Sequence, residues 1–235
     1  MKTADRRAGS LEKIGAAIAE RVRDGALIGL GSGTTMASLL PPVANRLRRR
    51  GVRVRWVPTS LQIALVADSV RESVSIMDKP ALDLVIDGAD QVDEDCNMIK
   101  GGGGALLREK VLIENTRRTL IVVDEKKLAA KLCSGGVRVP VEASPFARVP
   151  VAERLIALGG EPVLRLGERG FPYYTENGNL VFDTLFRPVA RPALLEREIK
   201  TIAGVMESGI FTPRPVEVYI IKQDGSFEMR RRVRD

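Results

Sequence analysis

The stretch Ala26-Leu-Ile-Gly-Leu30 runs directly into Gly31-Ser-Gly-Thr-Thr35. The first five residues form an unbroken apolar run, which reads as a short buried strand. The glycines that follow let the backbone turn sharply into a helical pattern. Upstream, Leu11, Ile14, Ile18 and Val22 recur at helical spacing and predict a helix over 10–23, closed by the Asp24-Gly25 turn. Downstream lies a second helical stretch, which Pro41-Pro42 is expected to break or kink. Val52–Val57 then reads as a strand, and 60–69 as a helix whose apolar face holds Leu61, Ala64, Leu65 and Ala67. Leu82–Ile86 reads as a strand ending at Asp87-Gly-Ala-Asp90, 105–118 as a helix and Leu120–Val123 as another strand. Strand alternating with helix predicts an α/β fold with a parallel sheet flanked by helices.

Beyond about residue 135 the pattern changes. Val137–Glu142 and Glu161–Arg165 read as strands. The stretch 149–158 reads as a helix with Leu155, Ile156 and Leu158 apolar, and 193–203 as another. Tyr173–Thr175 and Leu180–Asp183 flank Asn177-Gly178, a short hairpin signal. Val216–Lys222 and Phe227–Val233 flank Asp224-Gly225 as a second hairpin. This predicts a small α+β domain over 136–207, inserted before C-terminal strands that rejoin the first domain, 1–135 and 208–235.

The 235 residues are 44% hydrophobic and 29% charged, the balance of a globular protein able to bury a sizeable core. The chain has no histidine. That excludes a Ser-His-Asp triad, a Cys-His dyad and any His-ligated metal site, and leaves acid–base chemistry to carboxylates, lysines, Cys or Tyr. Cys96 and Cys133 alone make neither a disulfide framework nor a Cys₄ zinc site. No apolar run approaches the ~18–20 residues of a membrane helix. The opening MKTADRRAGS lacks the apolar centre of a signal peptide, so the expected compartment is the cytoplasm. Net charge is +7. Its densest runs are Arg46, Arg48, Arg49, Arg50 and Arg230, Arg231, Arg232, Arg234. They read as solvated basic surface, because no helix-turn-helix, zinc-finger or RNP pattern accompanies them, and neither a nucleic acid nor a membrane is an expected partner.

Three segments carry candidate chemistry. Gly31 to Thr35 joins a strand to a helix, where small residues and helix-start N–H groups suit a phosphate or carboxylate. It matches neither a P-loop nor a dinucleotide fingerprint, and a plain tight turn is the competing reading. Asp87 and Asp90 lie just past an apolar strand, where open α/β sheets place ligands. They suit sugar hydroxyls, proton movement or a hard metal, against an acidic cap or turn; Asp93 and Asp95 are expected to face solvent. Lys100-Gly101-Gly102-Gly103-Gly104-Ala105-Leu106-Leu107-Arg108-Glu109-Lys110 is the sharpest. Four consecutive glycines are entropically costly and make sense where backbone wraps a ligand. Ala105, Leu106 and Val111 are expected to pack inward, and Glu109, near the start of the following helix, suits a general base.

Together these segments resemble the ribose-5-phosphate isomerase A family. Further matches are Val123-Asp-Glu-Lys-Lys127, Pro140-Val-Glu-Ala-Ser-Pro-Phe146 and Thr175-Glu-Asn-Gly-Asn179, so the resemblance runs from about residue 10 to the end. It implies a Rossmann-like catalytic domain with a smaller α+β domain, usually in a homodimer or homotetramer. It implies metal-free, cofactor-free interconversion of ribose 5-phosphate and ribulose 5-phosphate in the pentose phosphate pathway. Ser32, Gly33, Thr34 and Thr35 match the first substrate loop. Asp87, Gly88, Ala89 and Asp90 match the second, and Lys100, Gly101, Gly102 and Gly103 the third. Glu109 matches the catalytic base and Lys127 a substrate-contacting lysine. The chain departs at Gln91, where Glu is usual and one charge near the site is lost, and Ser32 and Thr34 permute the common order. Cys96, between the Asp pair and Lys100, offers a thiol that would make the site thiol-sensitive, against the reading of packing or exposure without function.

An enediolate mechanism then assigns Glu109 as base, Lys100 and loop N–H groups to the oxyanion, Asp87 to ring opening and Asp90 to sugar hydroxyls. The Ser32–Thr35 loop and Lys127 both remain candidates for the phosphate. Four readings compete. An aminosugar-phosphate deaminase commonly needs a histidine. A CoA transferase has different substrate segments. A sugar-phosphate sensor would carry a DNA-binding module that residues 1–25 are too short to form. Nucleic-acid binding through the Arg runs would show steep salt dependence.

Overall fold

The computed structural model describes residues 3–68, 81–212 and 216–232. In chain order the elements are α1 (Thr3–Glu20), β1 (Leu27–Leu30), α2 (Thr34–Arg49), β2 (Arg55–Pro58), α3 (Leu61–Ala67), β3 (Leu84–Asp87), β4 (Gln91–Val92), β5 (Met98–Ile99), α4 (Leu106–Glu114) and β6 (Thr119–Asp124). They continue as β7 (Val139–Ala143), α5 (Arg148–Ala157), β8 (Glu161–Leu164), β9 (Leu180–Leu185), α6 (Pro192–Lys200), β10 (Val205–Ser208), β11 (Ile210–Phe211), β12 (Val216–Ile221) and β13 (Phe227–Arg232).

Contacts divide the chain into two compact units, Met1–Gly88 with Arg108–Lys126 and Arg214–Asp235, and Ala89–Leu107 with Lys127–Pro213. This division differs from boundaries at 135 and 208. Residues 89–107 carry β4 and β5, which hydrogen-bond to each other and to β11, so their partners lie in the second unit.

The first unit is built on a six-stranded sheet in the order β13-β12-β6-β3-β1-β2. All neighbours pair parallel except β13, which returns antiparallel along β12. Every residue of β1, β3 and β12 is buried, as continuous apolar strands covered on both faces require. Ile28, Leu30, Leu84, Ile86, Leu120 and Val122 pack with Leu11, Ile14 and Ile18 of α1 and Met36, Leu39, Leu40 and Val43 of α2.

Helix α2 continues through Pro41 and Pro42 without breaking. A proline inside a helix costs about 3 kcal/mol or more. Six large buried side chains (Met36, Leu39, Leu40, Val43, Leu47 and, at its start, Thr35) straddle the prolines, and the apolar ones stabilise by roughly 1.5–3 kcal/mol each. Burial therefore wins. Pro42 also fits against Gly15 of α1, where an added Cβ would lie 2.9 Å from the Pro42 Cβ. In α3 the buried residues are Ile63 and Ala67; of the expected face Ala67 is buried, whereas Leu61 and Leu65 are exposed. Ser69 lies outside the described residues.

The second unit holds a four-stranded antiparallel sheet, β10-β7-β9-β8, and the small sheet β11-β5-β4. Val139, Val141, Phe182, Val151, Leu155 and Ile199 share its core, while Ile156 is exposed. Residues 173–175 form no strand; only the Tyr174–Leu180 bridge survives, across a turn closed by Gly178 N–H on the Thr175 carbonyl.

The basic runs are partly structural. Arg46 donates to Glu20 at 2.9 and 2.6 Å, and Arg50 donates to the Ala19 carbonyl at the end of α1. Arg230 pairs with Glu228, and Arg234 lies outside the described residues. At the strand starts, Arg21 holds the Glu217 carboxylate with both Nη atoms and also reaches the Tyr219 hydroxyl at 3.1 Å. The Arg21 guanidinium keeps the Glu217 carboxyl below its usual 4.5. A carboxyl lowered on folding contributes stability above its unfolded pKa and loses it as pH falls through the folded value. Glu217→Gln is therefore expected to cost about 1–2 kcal/mol at pH 7 in urea denaturation, shrinking toward zero well below pH 4.5. Parallel stability curves for the two proteins across this range would remove the pair from the acid response.

Candidate functional site

In the first unit the candidate residues gather at the carboxyl ends of β1, β2 and β3. Helix α4 is seated by Gly29, where an added Cβ would lie 2.9 Å from Leu112 Cδ1. Glu109 sits one turn before Leu112, three residues back along the helix, and reaches the residue three beyond Gly29: the Ser32 N–H points at Glu109 Oε1 over 3.5 Å. Glu109 is only 4% exposed. Gly31 lies under Asp87, and its N–H donates to the Ile86 carbonyl at 2.9 Å. A Cβ at Gly31 would fall 1.7 Å from Asp87 Oδ1, so no side chain fits there. Asp87 is 1% exposed, and its Oδ1 accepts from the Gly88 N–H at 2.7 Å.

The Gly31–Thr35 turn is held by neighbours that the sequence reading missed. The Ser32 hydroxyl meets Thr59 Oγ1 at 2.7 Å and donates to Ser60 Oγ at 2.6 Å; Thr59 in turn donates to the Leu30 carbonyl. Ser60 caps α3 by accepting from the Ile63 N–H. Gly33, with φ 96, donates its N–H to Gln62 Oε1 at 3.1 Å. Thr34 is exposed, and Thr35 is buried and accepts from Arg7, which also pairs with Asp124 at 2.9 Å. The available signal was positional: Thr59 and Ser60 follow β2 just as Gly31 and Ser32 follow β1, and both strand ends lie at the same edge of a parallel sheet.

The second unit holds the other candidates. Asp90 Oδ2 accepts from the Gly102 N–H at 2.8 Å, drawing the second carboxylate onto the glycine loop. Lys100 is 2% exposed, with its ammonium 5.5 Å from the Phe211 ring centroid. Its backbone N–H donates to the Gly209 carbonyl. Gly101 has φ +106 and Gly104 φ +78, and the Gly104 N–H closes a turn on the Gly101 carbonyl at 2.9 Å. Lys127 donates to the Ala89 carbonyl at 2.5 Å. Ala105 and Leu106 are buried as expected, but Val111 is exposed.

Two neighbours behave differently from expectation. Asp93 is buried; its carboxylate accepts from the Asp95 and Asn97 N–H groups and from the Asn97 amide, closing the β4–β5 turn. Burial pushes its carboxyl above the usual range. Asp95 is exposed as expected. Gln91 is a buried structural carboxamide: it accepts from the Cys133 N–H at 2.7 Å and donates to the Ser134 carbonyl at 2.8 Å. Both cysteines are buried, and burial pushes the Cys133 thiol up to about 11, away from thiolate chemistry. Among the described residues no group of three or more His, Cys, Asp or Glu is placed to hold a metal ion, and no helix is long and apolar enough to cross a membrane.

These features define an α/β protein with buried carboxylates at the carboxyl ends of a parallel sheet and a glycine loop carrying a buried lysine. The family model for ribose 5-phosphate isomerase A (phosphoriboisomerase A) matches residues 55–225. The ribose-5-phosphate isomerase A of Thermosynechococcus vestitus is 44% identical over 198 residues, covering 83% of this chain and 84% of its own. That of Methanosarcina acetivorans is 39% identical over 217 residues, 92% of this chain and 91% of its own. Among solved structures, ribose 5-phosphate isomerase A from Methanocaldococcus jannaschii superposes with TM-score 0.87 at 32% identity, covering 98% of this chain and all of that one. A D-ribose-5-phosphate isomerase in complex with phospho-erythronic acid superposes with TM-score 0.90 at 31% identity, covering 99% and 100%. The chain belongs to the ribose 5-phosphate isomerase A family.

The Gln91 carboxamide uses a donor that a carboxylate lacks. Gln91→Glu is expected to set a charge against the Ser134 carbonyl and to cost about 1–3 kcal/mol, read as a lower denaturation midpoint with unchanged slope. An unshifted midpoint would mean that the Gln91 bond to Ser134 contributes nothing.

Proposed function

We propose that this chain interconverts ribose 5-phosphate and ribulose 5-phosphate without a metal, through an enediolate, with Glu109 as the base. The observation that carries the reading is Glu109 itself, a buried carboxylate at the start of the helix seated on Gly29, with Oε1 facing the Ser32 amide. The family relationship and the neighbour bound to phospho-erythronic acid support the substrate class, since a phosphorylated sugar acid has a phosphate at one end and an anionic oxygen centre at the other.

Aldose–ketose isomerisation moves one hydrogen between adjacent carbons. In this mechanism Asp87 moves the anomeric hydroxyl proton as the ring oxygen is protonated and the furanose opens. Glu109 then takes the proton from C2, and the electron pair moves through the C1–C2 bond to leave negative charge on the former aldehyde oxygen. Lys100 and the N–H groups of Gly101–Gly103 stabilise that oxyanion, as preorganised donors do in a dry site. Glu109 returns the proton to C1, and the hydroxyl proton shifts from O2 to O1 to give the ketose. Asp90 orients sugar hydroxyls. Ser32, Gly33, Thr34 and Thr35 and Lys127 hold the rest of the substrate, including its phosphate, with Gly88 and Ala89 letting it approach the backbone. No histidine is required by this scheme.

The same reading places the protein in the pentose phosphate pathway and the cytoplasm. It also includes a homodimer or homotetramer, supported by large apolar side chains exposed on the second unit, among them Phe146 at 99%, Phe171 and Ile156.

The decisive assay is turnover of ribose 5-phosphate in EDTA. Glu109→Gln is expected to lower kcat by roughly 10²–10⁴-fold; an unchanged rate removes Glu109 from the mechanism, and an inactive folded wild type removes the reaction. Gly31→Ala forces the Asp87 carboxylate aside, and a shift near 1 Å is expected to cost on the order of 10²-fold in turnover. Full activity in Gly31→Ala would leave Asp87 without a role in the reaction.

A further inference from the structure

The glycine loop is gripped from its carbonyl side. Arg165, just past β8, donates from Nη1 to the carbonyls of Gly101 and Gly102 at 3.0 and 3.1 Å. Its Nε and Nη2 form a fork on Asp183 of β9, at 2.8 and 2.5 Å. The guanidinium lies 5.6 Å from the Tyr173 ring centroid, and the Tyr173 hydroxyl donates to the Gly103 carbonyl at 3.1 Å. Three successive carbonyls thus end on two side chains. Behind Tyr173, the hairpin turn is tied down by buried Glu142, whose Oε1 accepts from Thr175, Asn177 and Asn179 at 2.9, 3.0 and 2.9 Å.

Peptide planarity converts this grip into amide direction. In a trans peptide the N–H points opposite to the preceding carbonyl. With the Gly101 carbonyl on Arg165, the Gly102 N–H faces the other way and donates to Asp90. With the Gly102 carbonyl on the same guanidinium, the Gly103 N–H is turned to that same opposite side. A Cβ at Gly103 would meet nothing within 4 Å, so the loop is open there. The cation also covers the negative ends of two peptide dipoles, which would otherwise repel an anionic ligand.

We propose that Arg165, braced by Asp183 and by Tyr173, is a positioning residue for the isomerase reaction: it fixes the Gly101 and Gly102 carbonyls turned away, so that the Gly103 N–H, on the open side of the loop, is presented to the oxyanion of the enediolate. The inference rests on the isomerase reading above. Since the oxyanion develops in the transition state, loosening the loop acts on kcat rather than on KM.

The test is steady-state turnover of ribose 5-phosphate by the wild-type chain, Arg165→Gln, Arg165→Lys and Tyr173→Phe, with thermal melting of each. Removing a whole oxyanion donor costs about 10²–10³ in kcat, and a loosened one a part of that. Arg165→Gln is expected to lose about tenfold or more in kcat with KM within about threefold. Arg165→Lys keeps the charge but not the fork, and is expected to fall between Gln and wild type. Tyr173→Phe, which loses a single hydroxyl, is expected to lose a few-fold in kcat with an unchanged melting temperature, and it decides the matter if Arg165→Gln fails to fold. Unchanged kcat in the folded variants, or a rise confined to KM, overturns the inference while wild-type turnover stands. An inactive wild type instead overturns the isomerase reading and the inference with it.

Discussion

Strand β1 and the residue that follows it carry two positions, Gly29 and Gly31, at which an added methyl group would collide with a neighbouring side chain, and the geometry of the first unit's candidate residues follows from them. At Gly29 the space is taken by Leu112 and Val85, so α4 lies close to the sheet. At Gly31 it is taken by the Asp87 carboxylate. One strand therefore seats both carboxylates: Asp87 directly, and Glu109 through the helical turn it shares with Leu112. Alternation along the same strand sends Ile28 and Leu30 into the core with α1 and α2. The strand that packs into the apolar core with α1 and α2 also positions these candidate residues, so errors in packing there displace them.

Burying polar groups at this density is costly unless each is bonded, at about 1–3 kcal/mol per orphaned group. The two units meet that constraint differently. In the first, hydroxyls relay along Ser32, Thr59, Ser60 and the Leu30 carbonyl, so the Gly31–Thr35 turn is braced by groups that are themselves capped or strand-bound. In the second, charged and amide side chains hold backbone: Asp93 closes a hairpin, Gln91 holds 133–134, and Glu142 ties the 175–179 turn. These residues fix loops and leave the chemistry to others.

Much of this was legible in the sequence because local rules agree with the fold. The helix of Leu11, Ile14 and Ile18, the apolar strands, and the glycine-led turn at 31–33 sit where periodicity and glycine placement put them, although that helix starts earlier than residue 10 and ends at Glu20, which leaves Val22 beyond it. What was not legible depends on tertiary partners. Pro41-Pro42 looked like a break because propensity knows nothing of the core that α2 buries on both sides of them. Asp93 looked solvent-exposed because its three donors, from Asp95 and Asn97, exist only once β4 and β5 pair. Gln91 looked like a lost charge because its partners are more than 40 residues away in sequence. The short strands β4, β5, β10 and β11 carry too few residues for a period-2 pattern to register. Likewise Arg165 and Tyr173 carry no motif, and their role is visible only where their side chains end.

Four adjacent glycines make the loop at 101–104 costly to order, adding roughly 2–4 kcal/mol relative to four alanines. At two of them alanine is nonetheless excluded by geometry: Gly101 and Gly104 have positive φ, and a Cβ at Gly104 would lie 2.2 Å from the Tyr173 hydroxyl oxygen. The loop cannot order itself, so its order is imported. Two bonds from Arg165 and one to Asp90 involve charged groups, worth about 1.5–3 kcal/mol each, which exceeds the entropic deficit. Because two of these three bonds take the carbonyls, the same interactions that stabilise the loop also decide which way its amides face. In this loop, stability and polarity are set by one arrangement, and a residue chosen for the first is committed to the second.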